Sequence, residues 1–337
     1  MKILGIETSC DETAASVIEG RDGQIKVLSN IVSSQIEIHK KYNGVVPEVA
    51  AREHILNILP VVNEALEKAG LKKGKIDAIA VTAGPGLITS LITGIESAKT
   101  LAYAWNLPIV AVNHIEGHIY SNFIAPTEKI EFPALVLTVS GGHTLLVLME
   151  GLGKFKTVGQ TRDDAAGEAF DKAAKLMNLG YPGGPLISAW AEKFSGDKKI
   201  ELSRPMINHP DFDFSFSGLK TSLLYSLKKD KNWKKRVPEY AHEFQQAIID
   251  VLIKKTIRAG KKYKTKTIML AGGVAANKEL RRQLEEKVLE EGFSFLKPDL
   301  KYTTDNATMV AVNGYFKAKK KEFTPWKNLK VNCNLEI

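Results

Sequence analysis

Ala134-Leu135-Val136-Leu137-Thr138-Val139-Ser140-Gly141-Gly142-His143-Thr144-Leu145-Leu146-Val147-Leu148-Met149 consists of two apolar runs of strand composition joined by a short polar turn, the pattern of a β-hairpin. The same design occurs earlier, where residues 2–7 and 14–19 flank the polar turn Thr8-Ser9-Cys10-Asp11-Glu12-Thr13. Two openings of one design predict a duplicated half. Between them, residues 48–69 read as a helix with Pro60 as a kink and Gly70 as its stop. Residues 77–82 read as a buried strand entering Gly84-Pro85-Gly86, residues 87–104 as a helix and residues 109–112 as a strand, which is βαβ logic. In the second half residues 164–178 and 239–259 read as helices, residues 180–185 as a loop, and strands look sparser. Residues 267–271 form a short apolar run entering Gly272-Gly273-Val274-Ala275-Ala276-Asn277, followed by helical composition at 278–291 and a closing helix at 306–320. The expectation is an α/β chain of two lobes that divides near Ala125-Pro126-Thr127.

A chain of 337 residues exceeds one ordinary core, and 44% hydrophobic with 25% charged residues is the balance of a globular protein. No apolar run reaches membrane length, and Glu7 interrupts the N-terminus too early for a secretory signal. Cys10 and Cys333 make no disulfide framework, so a reducing compartment, the cytoplasm, is expected. The net charge of +9 fits a phosphate-rich partner. Its clusters, at Lys228, Lys229, Lys231, Lys234, Lys235 and Arg236, at 254–266 and at 317–321, read equally well as solvated faces.

His114 and His118 are four apart, so on a helix both imidazoles share a face, a spacing that suits a divalent metal or two core histidines. The zinc-peptidase pattern is not met, because Ile115 follows His114 and Glu116 points away from the histidine face. The turn Ser140-Gly141-Gly142-His143 offers backbone N–H groups that an oxyanion can approach, or is a plain tight turn; Gly272-Gly273 before Asn277 has the same two readings. Three such turns after apolar strands together point to a nucleotide cleft. Helix capping accounts for Asp163 and Asp164. Asp171 lies further in, where pairing with Lys172 or Lys175 competes with binding a ribose hydroxyl. In Tyr302-Thr303-Thr304-Asp305-Asn306, Thr or Asp reads as an N-cap, and Asp305 is also the best remote carboxylate for the histidine pair.

Taken in order, these motifs resemble the TsaD family, the proteins once labelled glycoproteases and related to the actin, hexokinase and Hsp70 fold. The resemblance covers nearly the whole chain. It rests on Gly5-Ile6-Glu7-Thr8-Ser9-Cys10-Asp11-Glu12-Thr13, Val46-Pro47-Glu48-Val49-Ala50-Ala51-Arg52-Glu53-His54, Asn113-His114-Ile115-Glu116-Gly117-His118, Val139-Ser140-Gly141-Gly142-His143-Thr144, Tyr181-Pro182-Gly183-Gly184-Pro185, Phe214-Ser215-Phe216-Ser217-Gly218-Leu219-Lys220, Leu270-Ala271-Gly272-Gly273-Val274-Ala275-Ala276-Asn277 and Thr304-Asp305-Asn306-Ala307. The stretch from His39 to Glu48 looks like the bacterial or organellar branch. The resemblance implies a two-lobed α/β fold with a duplicated core: residues 1–127 carry the histidine pair, 128–312 the nucleotide-binding turns and a helical insertion, and 313–337 pack back on the first lobe.

It further implies transfer of a threonylcarbamoyl group from threonylcarbamoyl-AMP to N6 of adenosine 37 in tRNAs that read codons beginning with A, giving t6A. By that resemblance His114, His118 and Asp305 hold one divalent metal, iron or zinc. Thr138, Val139, Ser140, Gly141, Gly142, Asp171, Gly184, Ser188 and Asn277 hold the adenylate, a site that ATP, ADP or AMP also fits; Ser188 stands where many relatives carry Asp. Asp11 and Glu12 are the candidates for steering the amine's proton. The implied partners are tRNA, a paralogous TsaB-like subunit, a small TsaE-like ATPase and a TsaC-like enzyme that makes the adenylate, with no membrane. A small-molecule kinase or ATPase of the same fold, and a noncatalytic nucleotide-sensing scaffold, remain open at this stage because the fold hosts all three.

Overall fold

The computed structural model describes residues 1–71, 75–126 and 129–337, so the expected boundary turn reaches into Thr127, outside the described residues. Two compact units emerge: Met1–Thr127 with Pro298–Ile337, and Glu128–Lys297. Each is built on one five-stranded mixed sheet.

The first sheet comprises β1 (Lys2–Glu7), β2 (Glu12–Arg21), β3 (Gln24–Ser34), β4 (Ala78–Gly84) and β5 (Ile109–Asn113), in the order β3-β2-β1-β4-β5. β1 pairs antiparallel with β2 and parallel with β4, and β4 pairs parallel with β5. Its helices are α1 (Ile36–His39), α2 (Pro47–Lys68), α3 (Ile88–Trp105) and α4 (His114–Tyr120). The second sheet comprises β6 (Ala134–Val139), β7 (Thr144–Gly151), β8 (Lys154–Gln160), β9 (Thr267–Ala271) and β10 (Ser294–Leu296), in the order β10-β9-β6-β7-β8. Around it lie α5 (Ala166–Leu176), α6 (Gly183–Ala191), α7 (Ser217–Lys229), α8 (Val237–Lys262) and α9 (Lys278–Glu290). The closing helix α10 (Ala307–Lys319) packs on β1, β2 and β4 in the first unit.

Substituting β6 to β10 for β1 to β5 turns one strand order into the other, with the same parallel and antiparallel pairings. The chain therefore has an α/β fold with a duplicated core. The mostly apolar runs of β1, β4, β6 and β9 follow from burial on both faces. Leu4, Ile6, Val17 and Val81 pack with Ile58, Val62 and Ile95 in the first core, while Leu135 and Leu137 pack with Phe170, Phe244 and Ile248 in the second.

Several boundaries differ from the sequence reading. The second half is not poor in strands: β8 alternates exposed lysines with half-buried residues, and β10 is three residues long, so neither shows a sustained apolar run. The helix expected over 48–69 is α2, which runs through Pro60 to Lys68 and is followed by Gly70 with φ of +66°, as the sequence reading had it. Glu12 and Thr13 belong to β2 rather than to the hairpin tip. α5 starts at Ala166, and α6 begins inside the expected loop at Gly183.

Candidate metal centre and glycine-rich turns

β5 ends in Asn113, whose side chain is the N-cap of α4: Oδ1 accepts from Ile115 N at 2.8 Å and Glu116 N at 3.3 Å. That cap makes His114 the first residue of α4 and His118 its neighbour one turn on, and the two rings lie edge-on with centroids 4.6 Å apart. Glu116 leaves on the other side, accepting from Asn313 Nδ2 at 2.9 Å and pairing with Lys317 Nζ at 2.9 Å on α10.

The residue that caps α10 is Asn306, whose Oδ1 accepts from Met309 N at 3.1 Å. The expected Thr or Asp cap is thereby corrected, and Asp305 is left to face the histidines. Its Oδ1 lies 3.2 Å from His118 Nε2 and 3.6 Å from His114 Nε2. The donor atoms of all three lie within 4.8 Å of one another. Both ring nitrogens of His118 are buried and make no hydrogen bond among the described residues, while Nε2 lies at ion-pair distance from Asp305. Two buried imidazoles and a carboxylate on one point, with orphaned ring nitrogens, are a donor set that a divalent cation fits.

A further carboxylate, missed in the sequence reading, holds His114 from behind. Glu7, at the end of β1, accepts from Ser9 N at 2.5 Å and Thr82 Oγ1 at 2.7 Å, with His114 Nδ1 at 3.2 Å from its Oε2. Ser9 Oγ lies 3.1 Å from the same ring nitrogen. This side of the ring is thus fixed while Nε2 faces Asp305, the arrangement in which outer carboxylates orient metal-binding imidazoles. The only signal in the sequence was a charge closing an otherwise apolar strand. Burial opposes a charged His114, yet the Asp305 and Glu7 carboxylates outweigh it and raise its pKa to about 9. Burial also raises Glu7, but the His114 charge and hydrogen bond prevail and hold it below the usual carboxylate range.

Asp11 is buried at the hairpin tip and Glu12 opens β2. Burial, then the Asp11 and Asp305 carboxylates, push Glu12 well above the ordinary range, and burial with the same two acids does so for the Cys10 thiol. Negative charge gathered in a dry setting favours a bound cation.

In the second unit, the β6–β7 turn is closed by Ser140 N donating to His143 O at 2.8 Å and His143 N donating to Ser140 Oγ at 3.1 Å. At Gly141 and Gly142 a Cβ would meet nothing within 4 Å, so the backbone there is open to approach. Thr138 is fully buried and its Oγ1 has no partner among the described residues. Val139 lies in the core and offers only its backbone. Asp171 Oδ1 accepts from Gly183 N at 2.7 Å at the start of α6, which also carries Gly184. Lys172 pairs instead with Asp164 at 2.6 Å and Glu168 at 2.9 Å.

Ser188 and Asn277 meet: Asn277 Nδ2 donates to Ser188 Oγ at 2.9 Å and to Gln245 Oε1 at 2.8 Å, while its Oδ1 caps α9 at Leu280 N, 2.9 Å away. Gln245 was invisible in the sequence, being one of two adjacent glutamines in a 26-residue helix. The capping assigned to Asp163 and Asp164 is corrected. α5 has no side-chain cap, and Asp163 accepts from Phe216 N at 2.8 Å and Ser217 N at 3.2 Å, holding the start of α7. The basic runs are partly neutralised from within. Lys255 is buried and donates to Asp211 O, Arg236 pairs with Asp230 and Glu239, and Lys261 with Glu291.

Residues 26–312 match the family model TsaD, described as tRNA N6-adenosine threonylcarbamoyltransferase. Proteins of that name share 50% identity over 96% of this chain and 94% of the Syntrophomonas wolfei relative, 53% over 94% of each for Dehalococcoides mccartyi, and 50% over 93% and 90% for Bacillus subtilis. Among solved structures, HypF from T. kodakarensis superposes with a TM-score of 0.65 at 13% identity over 98% of this chain, which spans about half (49%) of that HypF chain. At that identity the likeness shows the fold, the actin/hexokinase/Hsp70-like class. Among the described residues no helix is long and apolar enough to cross a membrane.

Proposed function

We infer how the reaction is run from the premise those matches establish: the chain belongs to the TsaD family, the tRNA N6-adenosine threonylcarbamoyltransferases. It moves a threonylcarbamoyl group from threonylcarbamoyl-AMP to N6 of adenosine 37, forming t6A in tRNAs that read codons beginning with A. The observation that carries the mechanism is the convergence of His114, His118 and Asp305. These three hold one divalent metal, iron or zinc. Bound there, the metal supplies positive charge for the donor's phosphate and Lewis acidity toward the reacting group. The chain's own residues do the rest.

Glu7 and Ser9 keep the His114 ring turned so that Nε2 faces Asp305. The Gly141 and Gly142 backbone, free of side chains, takes a phosphate; Thr138, Val139 and Ser140 flank it, Asp171 accepts from the ribose, and Gly184, Ser188 and Asn277 border the adenosine. AMP is already a good leaving group, so positioning and charge stabilisation suffice for acyl transfer. Asp11 and Glu12 steer the single proton that the adenine amine releases as AMP departs.

The partners in this reading are tRNA, a paralogous TsaB-like subunit, a TsaE-like ATPase and a TsaC-like source of the adenylate, all of the cytoplasm. Exposed Ile55, Leu56 and Leu59 on α2, with Ile88 and Ile92 on α3 packed beside it, support a protein partner, because apolar side chains grouped at helical spacing favour burial. The test is reconstitution with unmodified tRNA, ATP, threonine, bicarbonate and the partners, followed by mass spectrometry of nucleosides. Wild type yields t6A and His114→Ala does not; t6A from both rejects the metal reading, and none from either rejects the transferase reading.

A further inference from the structure

The last residues of the chain are seated against the metal-bearing helix through backbone groups. Asn332 N donates to Ala83 O at 2.9 Å and Gly86 N donates to Cys333 O at 3.3 Å, so the segment lies across the end of β4. Its seat is shaped for it. Gly84, at φ +150°, would place a Cβ 1.8 Å from Asn332 O and 3.3 Å from Leu335 Cβ, a position only glycine permits. Leu329 and Val331 anchor the approach in the first core.

Gly84 stands opposite Asn113 in the β4–β5 ladder. The Asn113 amide is used at both ends. Its oxygen caps α4, and its Nδ2 donates to Leu335 O at 3.3 Å and Glu336 O at 3.0 Å. A carboxamide accepts two hydrogen bonds and donates two, and all four are made here. Serine or aspartate would cap a helix as well as asparagine. Only asparagine also donates to the tail. Since the cap sets where α4 begins, and His114 is its first residue, whatever fixes the Asn113 rotamer fixes the histidine pair.

We propose that the C-terminal segment from Asn332 to Glu336 is a positioning element for the metal centre, acting through Asn113, which is a positioning residue rather than a ligand. The tail carbonyls hold the Asn113 side chain in its capping rotamer, and the cap holds His114 and His118 toward Asp305. Partners of this outer kind typically change metal affinity about 10–100-fold. The inference rests on the metal reading above.

The experiment uses the full chain, a chain ending after Val331, Asn113→Ser, and the two changes combined. Serine keeps a neutral cap but is too short to reach the tail. Zn²⁺ affinity is measured by competition with a chromophoric chelator, and amide exchange of the His114–Tyr120 peptide is followed without metal. Truncation and Asn113→Ser are each expected to weaken Zn²⁺ about 10–100-fold and to speed exchange in α4, with the combination no worse than truncation alone, because truncation already removes the tail carbonyls to which Asn113 donates. Wild-type affinity and exchange in a folded truncated chain, or losses that add, overturn the proposal. Should truncation unfold the chain, Asn113→Ser decides by the same two readouts. If wild type binds no Zn²⁺, the metal reading fails on affinity, whereas the link from tail to helix stands or falls on exchange.

Discussion

Replacing Glu7 by alanine strands the groups its carboxylate holds. That carboxylate is buried and accepts from the Ser9 amide at 2.5 Å and the Thr82 hydroxyl at 2.7 Å, with His114 Nδ1 at 3.2 Å. The Thr82 hydroxyl can turn to another acceptor; the Ser9 amide and the His114 ring have less freedom. At about 1–3 kcal/mol for each stranded donor, two of them cost about 2–6 kcal/mol. Removing a buried charge returns part of its desolvation penalty, so the net loss expected is about 2–4 kcal/mol. Glu7→Gln keeps the volume and one acceptor, so the fold suffers less while the His114 ring loses its charged partner. Its metal affinity should still fall about 10–100-fold. Urea unfolding of the metal-stripped chain isolates the stability effect, and chelator competition then isolates the metal effect. The reasoning is refuted if Glu7→Ala unfolds within about 0.5 kcal/mol of wild type, the range of an ordinary surface substitution, or if Glu7→Gln binds metal as wild type does.

Glu243 gives a pH prediction. Burial raises its carboxyl, but Arg204, Lys198 at 2.6 Å and Leu202 N at 2.8 Å prevail and hold it below its ordinary 4.5. A depressed folded value stabilises above the unfolded value and is lost as pH falls through the folded one, so stability should drop below pH 4.5. Melts from pH 7 downward should show this in wild type and a shallower slope in Glu243→Gln; parallel curves would contradict it. Asp163→Ala uncaps α7 from a distance and should cost about 1 kcal/mol in urea unfolding. Asn277→Ala removes the α9 cap and both bonds to Ser188 and Gln245, so stability and AMP affinity should fall together; unchanged AMP affinity by calorimetry would give Asn277 a structural role alone.

The duplicated framework was legible because β1, β4, β6 and β9 are short apolar runs ended by glycine or polar turns. The histidine pair was legible because its spacing shows on any helix. What stayed hidden depends on distance or on backbone. Asp163 finds its partners 53 residues on at Phe216, so local capping logic sent it to the wrong helix. Glu7 looked like a strand boundary, and its pairing with His114 spans 107 residues. The tail acts through carbonyl oxygens, which every residue has and no motif marks. β8 was missed because an edge strand faces water and carries lysines, which dilute the apolar alternation.

The most direct test of the account is single-turnover transfer from preformed threonylcarbamoyl-AMP to unmodified tRNA by the metal-stripped chain with its partners, scored as t6A by mass spectrometry. Restoration of product by about one equivalent of Zn²⁺ or Fe²⁺ in wild type, and no restoration in His118→Ala, is the expected result. Full t6A formation by the stripped wild-type chain would contradict the account.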